Sequence, residues 1–327
     1  MSHAPSCYNP QNIMTVLIET FDLSKTFGEF LAVDGVTLQV EAGEVLALLG
    51  PNGAGKTTTI RMLASILSPS RGWAKVAGFD VVRESIGVRS SIGMLTEHHG
   101  LYTRMKAKEY LAFFGRVYGL SDEQTERSSQ ELLKRLELEE GLSKRLGEFS
   151  KGMRQKLALA RVMLHEPTIL LLDEPTSAMD PSSAKIVRES IFRLRSSKRA
   201  IVVCTHNLME AEILADRIAI IQNGKIIVHG TPEELKQKIL GDPIMRVELT
   251  EPLNGIEPQL PARVKVLEYG SNWIRYDSSD PKEMNPVVID MLSEQGLEIV
   301  MLSQVDRSLE EVYLRVVRNN IHDLEMD

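Results

Sequence analysis

The chain has 327 residues, of which 43% are apolar, enough for about two domains with sizeable cores. Its 38 basic and 45 acidic residues give a net charge of −7, so the composition shows no basic excess that would indicate nucleic-acid binding. Two cysteines exclude a framework of several disulfides, and no stretch approaches the ~20 consecutive apolar residues of a transmembrane helix. We therefore expect any membrane role to depend on another chain.

The first half of the chain alternates between strand and helix patterns. Residues 1–14 form a polar leader with two prolines, which we expect to be disordered. Short alternating segments in residues 16–40 predict antiparallel strands, and the apolar run at 45–49 predicts a buried strand. Residues 59–64 have the pattern of a helix. Between that strand and that helix lies a glycine-rich loop, residues 50–58.

This loop has the G-x-x-x-x-G-K-[ST] pattern in a strand–loop–helix context, which predicts a phosphate-binding loop. Its glycines allow backbone N–H groups to face a polyphosphate without obstruction by Cβ, and the helix start adds a partial positive charge. We expect Lys56 to reach the β- and γ-phosphates of a nucleoside triphosphate and the Thr57 hydroxyl to bind Mg²⁺. The predicted nucleotide-binding residues of the loop are Gly50, Pro51, Asn52, Gly53, Ala54, Gly55, Lys56, Thr57 and Thr58.

The rest of the chain predicts an α/β core followed by a small α+β unit. Residues 103–147 are helical in pattern, and the apolar runs at 169–172 and 200–203 predict parallel strands buried on both faces. We place a domain boundary near residues 241–243. Beyond it we predict strands at 245–249, 264–268, 273–276 and 298–302, and helices at 287–295 and 308–318, the last with a capping box at 308–311.

Two acidic residues, Asp173 and Glu174, directly follow the apolar run at 169–172. An Asp at the end of a buried strand near a phosphate loop is placed to hold Mg²⁺, usually through water. The next residue can then accept a proton from an attacking water. A purely structural explanation is weaker, because unpaired buried carboxylates are costly. We therefore predict Asp173 as a metal ligand and Glu174 as the general base.

The segment 149–156, F-S-K-G-M-R-Q-K, resembles the signature motif of ABC-type ATPases. Together with the phosphate loop and the segment D-E-P-T-S-A-M-D at 173–180, it makes residues 16–235 similar to the nucleotide-binding domain of that family. The signature departs from the common L-S-G-G-Q form at Phe149, Lys151 and Met153, which indicates a subfamily and leaves an inactive variant open.

The resemblance implies an ABC-type P-loop NTPase fold at residues 15–240. Within it we expect an antiparallel β subdomain and a helical subdomain at about 98–150. Residues 241–327 then form a small C-terminal α+β accessory domain, similar to that of exporter-type ATP-binding subunits.

In that family two nucleotide-binding domains close head-to-tail, and the resemblance implies a role for each matching residue. Ser150 and Gly152 would donate hydrogen bonds to the γ-phosphate in the opposite subunit, in keeping with hydroxyl and N–H donors at a helix start. His206 matches the switch histidine, which contacts the γ-phosphate and helps to position the attacking water. Phe27 matches the aromatic residue that stacks on adenine, and Asp180 matches the D-loop acid that communicates between the two sites.

Glu97 stands where the family usually has a Gln that contacts Mg²⁺ and links the site to the transmembrane partner. We hypothesise that Glu97 still coordinates Mg²⁺, because its charge favours the cation even though it repels phosphate oxygens. The adjacent pair His98 and His99 predicts a loop rather than a metal site. The predicted metal ligands are Thr57, Glu97 and Asp173, and the predicted catalytic residues are Lys56, Glu174 and His206.

The resemblance thus implies the ATP-hydrolysing motor subunit of an ABC transporter, an exporter, with ATP and Mg²⁺ as cofactors. The implied partners are a transmembrane permease subunit and a second ATP-binding subunit, with a homodimer expected, on the cytoplasmic face of the plasma (inner) membrane. No nucleic-acid partner is expected.

Two alternative functions remain open. The first is a soluble ABC-type ATPase acting on DNA or ribosomes. It is disfavoured because only a short helical stretch separates the phosphate loop from the signature, and because only one nucleotide domain is present. The second is a catalytically silent ATP-binding regulator, which the intact residues Lys56, Asp173, Glu174 and His206 disfavour.

Overall fold

The structure is a computed structural model that describes residues 15–96 and 100–324, with side chains described as far as residue 317. The chain divides after Thr231 into two units. The predicted leader at 1–14 and the predicted metal ligand Glu97, with its neighbours His98 and His99, lie outside the described residues.

The first unit contains ten strands and seven α-helices among its described residues. The strands are β1 (Val16–Phe27), β2 (Phe30–Glu41), β3 (Val45–Leu49), β4 (Arg71–Val76), β5 (Phe79–Asp80), β6 (Ile92–Leu95), β7 (Ile169–Asp173), β8 (Ala200–Thr205), β9 (Arg217–Gln222) and β10 (Lys225–Gly230). The helices are α1 (Lys56–Leu63), α2 (Ser85–Ser91), α3 (Ala107–Val117), α4 (Asp122–Arg135), α5 (Lys151–Met163), α6 (Pro181–Arg193) and α7 (Leu208–Leu214).

These strands form two sheets. The predicted antiparallel strands are confirmed in a four-stranded sheet with the order β2-β1-β4-β5. The second sheet has the order β10-β9-β3-β8-β7-β6, and all its neighbouring strands are parallel except β10 and β9. Every residue of β3, β7 and β8 is buried, so the prediction of parallel strands covered on both faces is also confirmed.

The register of the parallel strands brings three chain segments to one edge of the sheet. Leu49 pairs with Thr205, and Asp173 pairs with Cys204, so β3, β8 and β7 end within one residue of each other. The segments that follow these strands therefore meet at the carboxyl edge, where open α/β sheets bind their ligands.

The predicted helical region at 103–147 is helical in α3 and α4 but not throughout. Helix α4 ends at Arg135, and Glu137 then adopts a φ of 52°, a left-handed conformation that a right-handed helix cannot contain. Two single 3₁₀ turns, Glu139–Gly141 and Leu146–Glu148, connect α4 to α5.

The second unit is the predicted α+β arrangement. Its elements are α8 (Pro232–Leu240), β11 (Ile244–Leu249), β12 (Lys265–Tyr269), β13 (Trp273–Asp277), α9 (Pro281–Glu294), β14 (Ile299–Gln304) and α10 (Leu309–Leu324). The four strands form an antiparallel sheet with the order β12-β13-β11-β14, and α9 covers the buried side chains of its inner face. The unit begins about ten residues before the predicted boundary near 241, because α8 packs against α10.

The helix predicted at 287–295 begins six residues earlier, at Pro281. Asp280 caps it, since its Oδ1 accepts hydrogen bonds from the N–H groups of Lys282 (3.1 Å) and Glu283 (3.2 Å). Pro281 occupies the first turn, where no N–H donor is needed. The last helix begins where the sequence places it, and Ser308 Oγ accepts a hydrogen bond from the Glu311 N–H at 3.2 Å, one half of the predicted capping box.

Replacing Asp280 with Ala is expected to lower the free energy of unfolding of the second unit by about 1 kcal/mol, because two N–H groups lose their acceptor. Urea unfolding followed by tryptophan fluorescence would measure this loss. Trp73 and Trp273 are the two tryptophans of the chain, so a Trp73→Phe background confines the signal to the second unit. Asp290→Ala, at an exposed site within α9, is the matched control and should change stability by no more than about 0.5 kcal/mol. Equal losses in the two variants would contradict the capping role.

Candidate functional site

The glycine-rich loop joins the end of β3 to the start of α1, and two of its glycines are required by close packing. A Cβ on Gly50 would lie 2.2 Å from the carbonyl oxygen of Ile221 in β9. Gly55 has a φ of 107°, and a Cβ there would lie 2.7 Å from the carbonyl oxygen of Ala32 in β2. Neighbouring backbone and a left-handed turn therefore require these glycines, in addition to the phosphate-facing role that the sequence predicts.

Lys56 carries a buried positive charge at this loop. Its Nζ donates hydrogen bonds to the carbonyl oxygens of Gly50 (2.7 Å) and Pro51 (3.1 Å). The same atom lies 3.5 Å from Glu174 Oε1. The loop carbonyls thus hold the ammonium group in place, with the carboxylate of Glu174 beside it.

The two predicted metal ligands that the structure describes are in direct contact. The Thr57 hydroxyl, in the first turn of α1, donates a hydrogen bond of 3.1 Å to Asp173 Oδ1 at the end of β7. Burial raises the pKa of Asp173, and the hydrogen bond from Thr57 opposes that rise.

These two oxygen donors fit Mg²⁺, which is usually bound by one or two protein oxygens together with substrate phosphates and water. Within residues 15–96 and 100–317, where side chains are described, no group of three or more His, Cys, Asp and Glu could hold a metal ion. Glu97, the third predicted ligand, lies outside the described residues.

Glu174 lies between Lys56 and His206. Its Oε2 is 2.8 Å from His206 Nδ1, and its backbone N–H donates a 2.9 Å hydrogen bond to the carbonyl oxygen of Cys204. Its φ of 50° is unusual for a residue with a side chain, and such conformations cluster at functional sites. The structure thus brings together the three predicted catalytic residues, which are widely separated in the sequence.

A cleft of about 270 Å³ lies beside the phosphate loop. Its lining residues are Phe27, Phe30, Ala32, Asn52, Gly53, Gly55, Lys56, Thr57, Thr58 and Glu174. Among the predicted loop residues, Gly50, Pro51 and Ala54 do not line it, and Gly50 and Ala54 are buried.

The cleft contains Phe30, an aromatic residue that the sequence analysis did not predict. Phe27 and Phe30 face each other across the turn between β1 and β2, and both are exposed, by 46% and 65%. Gly28, with a φ of 57°, forms the turn between them. The F-G-E-F pattern was the available signal, because a tight hairpin turn places residues three apart side by side.

The residues predicted to act on a second subunit lie at the start of α5. Ser150 is the N-cap, and its Oγ accepts a hydrogen bond from the Met153 N–H at 3.2 Å. Gly152 lies in the first turn, where an added Cβ would meet Ser183 at an ordinary 3.7 Å. Packing within this chain therefore does not require glycine at 152. Neither Ser150 nor Gly152 is among the residues that line the cleft.

The start of α5 is tied to the segment that follows Glu174. Gln155 Nε2 donates a 2.7 Å hydrogen bond to the carbonyl oxygen of Pro175, and Lys151 Nζ donates to that of Ala178. Asp180, the predicted D-loop acid, caps α6 by accepting hydrogen bonds from the N–H groups of Ser182 and Ser183, both at 3.1 Å. Hydrogen bonds from Ser183 lower the pKa of Asp180.

No helix in the described part of the chain is both long and apolar enough to cross a membrane.

Comparison with known proteins assigns the chain to a family. Residues 33–177 match the family described as ABC transporter, and residues 230–317 match the C-terminal domain of DrrA1-3-like ATP-binding proteins. The daunorubicin resistance ATP-binding protein DrrA3 of Streptomyces coeruleorubidus is 36% identical over 294 residues, which cover 89% of this chain and 93% of that protein. The Nod factor export ATP-binding protein I of Burkholderia lata is 31% identical over 306 residues, 94% of this chain and 98% of that protein.

A solved structure of the ATP-binding subunit of an ABC transporter has a TM-score of 0.62 and 32% identity, covering 69% of this chain and 94% of that one. The fold, the nucleotide site and these relatives lead to one assignment: the chain belongs to the ATP-binding proteins of ABC transporters and is an ATPase coupled to transport.

Proposed function

We propose that two copies of the chain bind and hydrolyse Mg-ATP at a head-to-tail interface and drive export through a separate transmembrane subunit. The two copies would lie on the cytoplasmic face of the plasma (inner) membrane. The observation that carries the proposed hydrolysis is the contact of Glu174 with both Lys56 and His206 at one edge of the sheet. This contact joins a carboxylate base, an ammonium cation and an imidazole ring. Phosphoryl transfer to water needs groups of these kinds held in fixed positions.

The residues of one copy divide the work of binding and chemistry. Lys56 neutralises the β- and γ-phosphates, while Phe27 and Phe30 offer aromatic faces for the purine. Glu174 accepts the proton of the attacking water, and His206 orients that water. Thr57 and Asp173 would hold Mg²⁺, which supplies further neutralisation of charge on the phosphate oxygens.

The second copy supplies hydrogen-bond donors for the phosphate that are not among the residues lining the cleft of the first copy. Ser150 and Gly152 present a hydroxyl and N–H groups at the start of α5, and helix starts favour anions. Because packing in the chain itself does not require Gly152, its lack of a side chain is explained by the close approach of a ligand from outside.

The proposal of export rests on the similarity to export and resistance proteins, not on the geometry of the site. The Nod factor export protein and the drug resistance protein are similar to this chain over nearly its whole length, including the second unit. ATP-binding subunits of this family work with transmembrane components.

The test of the proposed assembly is affinity purification of the full chain from detergent-solubilised membranes. We expect a hydrophobic integral membrane protein in the same preparation and ATPase activity that depends on it. Recovery with ribosomes or DNA, and without a membrane protein, would support the alternative soluble ATPase instead.

Replacing Phe27 with Ala is expected to raise the KM for ATP about tenfold and to change kcat less than about twofold. One base–aromatic stack contributes roughly 1–3 kcal/mol to binding. Because the stack is equally strong in the bound ground state and in the transition state, its loss raises KM and leaves kcat nearly unchanged. Steady-state ATPase assays measure both constants. Phe192→Ala, which removes an exposed phenylalanine on α6, is the control. An unchanged KM in both Phe27→Ala and Phe30→Ala would contradict the assignment of this cleft to the base.

A further inference from the structure

Glu210 is a buried carboxylate that takes no part in the proposed binding of ATP or in the proposed chemistry. It lies in α7, four residues after His206, and is 1% exposed. The Thr176 hydroxyl donates a 2.7 Å hydrogen bond to its Oε1, and the Thr205 side chain also hydrogen-bonds to this carboxylate. Thr176 comes two residues after Glu174, and Thr205 comes directly before His206. One side chain therefore connects the two segments that carry the proposed base and the proposed switch histidine.

The Glu210 carboxylate contacts these two threonines instead of the backbone N–H at the start of its own helix. Asn207 caps α7, and its Oδ1 accepts a hydrogen bond from the Glu210 N–H at 3.2 Å. In a capping box the side chain at the position of Glu210 would accept a hydrogen bond in return from the N–H of the cap residue. Here the Asn207 N–H donates to Thr205 Oγ1 at 3.0 Å, and the Glu210 carboxylate contacts Thr176.

The chemistry of the site favours a carboxylate over other side chains. An ionised carboxylate only accepts hydrogen bonds and has several acceptor positions, so it can accept from hydroxyl groups of two segments at once. Burial raises the pKa of Glu210, and the hydrogen bonds from Thr205 and Thr176 oppose this rise. A buried charge is costly unless it is hydrogen-bonded, so an apolar residue would fill this space more cheaply if packing were the only requirement.

We propose that Glu210 is a positioning residue that sets the contact between Glu174 and His206. It does so by holding Thr176 and Thr205, and with them the segments after β7 and β8, at a defined separation. The 2.8 Å contact from Glu174 Oε2 to His206 Nδ1 lies between these two anchored points. The inference rests on the proposed roles of Glu174 and His206 and adds what determines their geometry.

The experiment compares the ATPase activity of the full chain, assembled with its membrane partner, in the variants E210A, E210Q and T176V. We expect kcat to fall between about tenfold and 100-fold in E210A, with the KM for ATP within about twofold, because small displacements of reacting groups have effects of this size. E210Q keeps one acceptor oxygen and should recover part of the loss. T176V should lose activity, and the E210A/T176V double variant should be no slower than E210A. Glu189→Ala, at an exposed site of α6, is the control.

Thermal melting of each variant separates positioning from folding. If E210A does not fold, E210Q and T176V carry the test, since both keep the site close to its natural volume. Wild-type kcat in folded T176V and E210Q, or additive losses in the double variant, would overturn the inference. Glu174→Gln serves as the reference: if it retained wild-type hydrolysis, the proposed function itself would fail. If Glu174→Gln is inactive while the Glu210 and Thr176 variants are fully active, only the positioning role of Glu210 fails.

Discussion

Glu174→Gln is expected to bind ATP and to dimerise, while its ATP turnover falls by about 100-fold or more, the usual contribution of a general base. The amide has nearly the shape of the carboxylate but cannot accept the proton of water. Lys56 keeps its hydrogen bonds to the carbonyl oxygens of Gly50 and Pro51, so the phosphate loop retains its positive charge. Trapped ATP should therefore accumulate in the dimer.

Two measurements test this expectation. ATP affinity is determined by equilibrium binding, and dimerisation by light scattering during size-exclusion chromatography with ATP and Mg²⁺. Glu189→Gln makes the same chemical change at an exposed position on α6 and should leave turnover unchanged. Wild-type turnover in Glu174→Gln would remove this residue as the base, and loss of ATP binding would show that its contact with Lys56 supports the loop.

Gly152→Ala is expected to lower ATP turnover by at least about 100-fold, the size of effect seen when a donor to the reacting anion is lost. The added methyl group obstructs the N–H groups that the proposed partner site needs. The same change should leave the fold intact or stabilise it by up to about 1 kcal/mol, because the nearest atom to the new Cβ is an ordinary 3.7 Å away. A melting temperature at or above that of the wild type, with activity lost, is the result that indicates a role in trans.

Mixing the two inactive variants gives a sharper test of the composite site. In a dimer of one Glu174→Gln chain and one Gly152→Ala chain, one site combines the intact Glu174 of one copy with the intact Gly152 of the other. Random mixing makes about half of the dimers mixed, each with one complete site, so about a quarter of the wild-type activity should return. Activity that stays at the level of the separate variants would count against a site shared between copies.

The phosphate loop, Asp173 and Glu174 could be predicted from the sequence because their chemistry depends on local order along the chain. A buried strand, a turn and a helix start follow one another within 19 residues, from Val45 to Leu63, and the acidic pair directly follows a strand. The contact between Glu174 and His206 was suggested only by the resemblance to a family. The structure explains it through strand register, since β7 and β8 pair so that Asp173 lies beside Cys204.

Some features were not predicted, either because a local signal was not used or because the contact has no local pattern. Phe30 joins the cleft because a tight turn, signalled by the F-G-E-F pattern, places it opposite Phe27. Glu210 contacts Thr176 in the segment that follows β7, and no local pattern indicates this contact. Helix α9 starts after its cap at Asp280 and continues through Pro286, whereas the sequence analysis placed its start at 287, after that proline. Glu97, one of the predicted metal ligands, lies outside the described residues and stays a prediction.

Local patterns along the chain were enough to predict a phosphate loop, an acidic pair after a buried strand, an α/β core and a second α+β unit. These follow from hydrophobic periodicity and from motifs whose members are neighbours in the chain. Which side chains meet at the edge of the central sheet depends on the folded chain, which pairs Lys56 with Glu174, Glu174 with His206, and Glu210 with Thr176. The order and register of the strands set which distant residues lie within hydrogen-bond distance, and neighbouring residues in the chain do not contain that information.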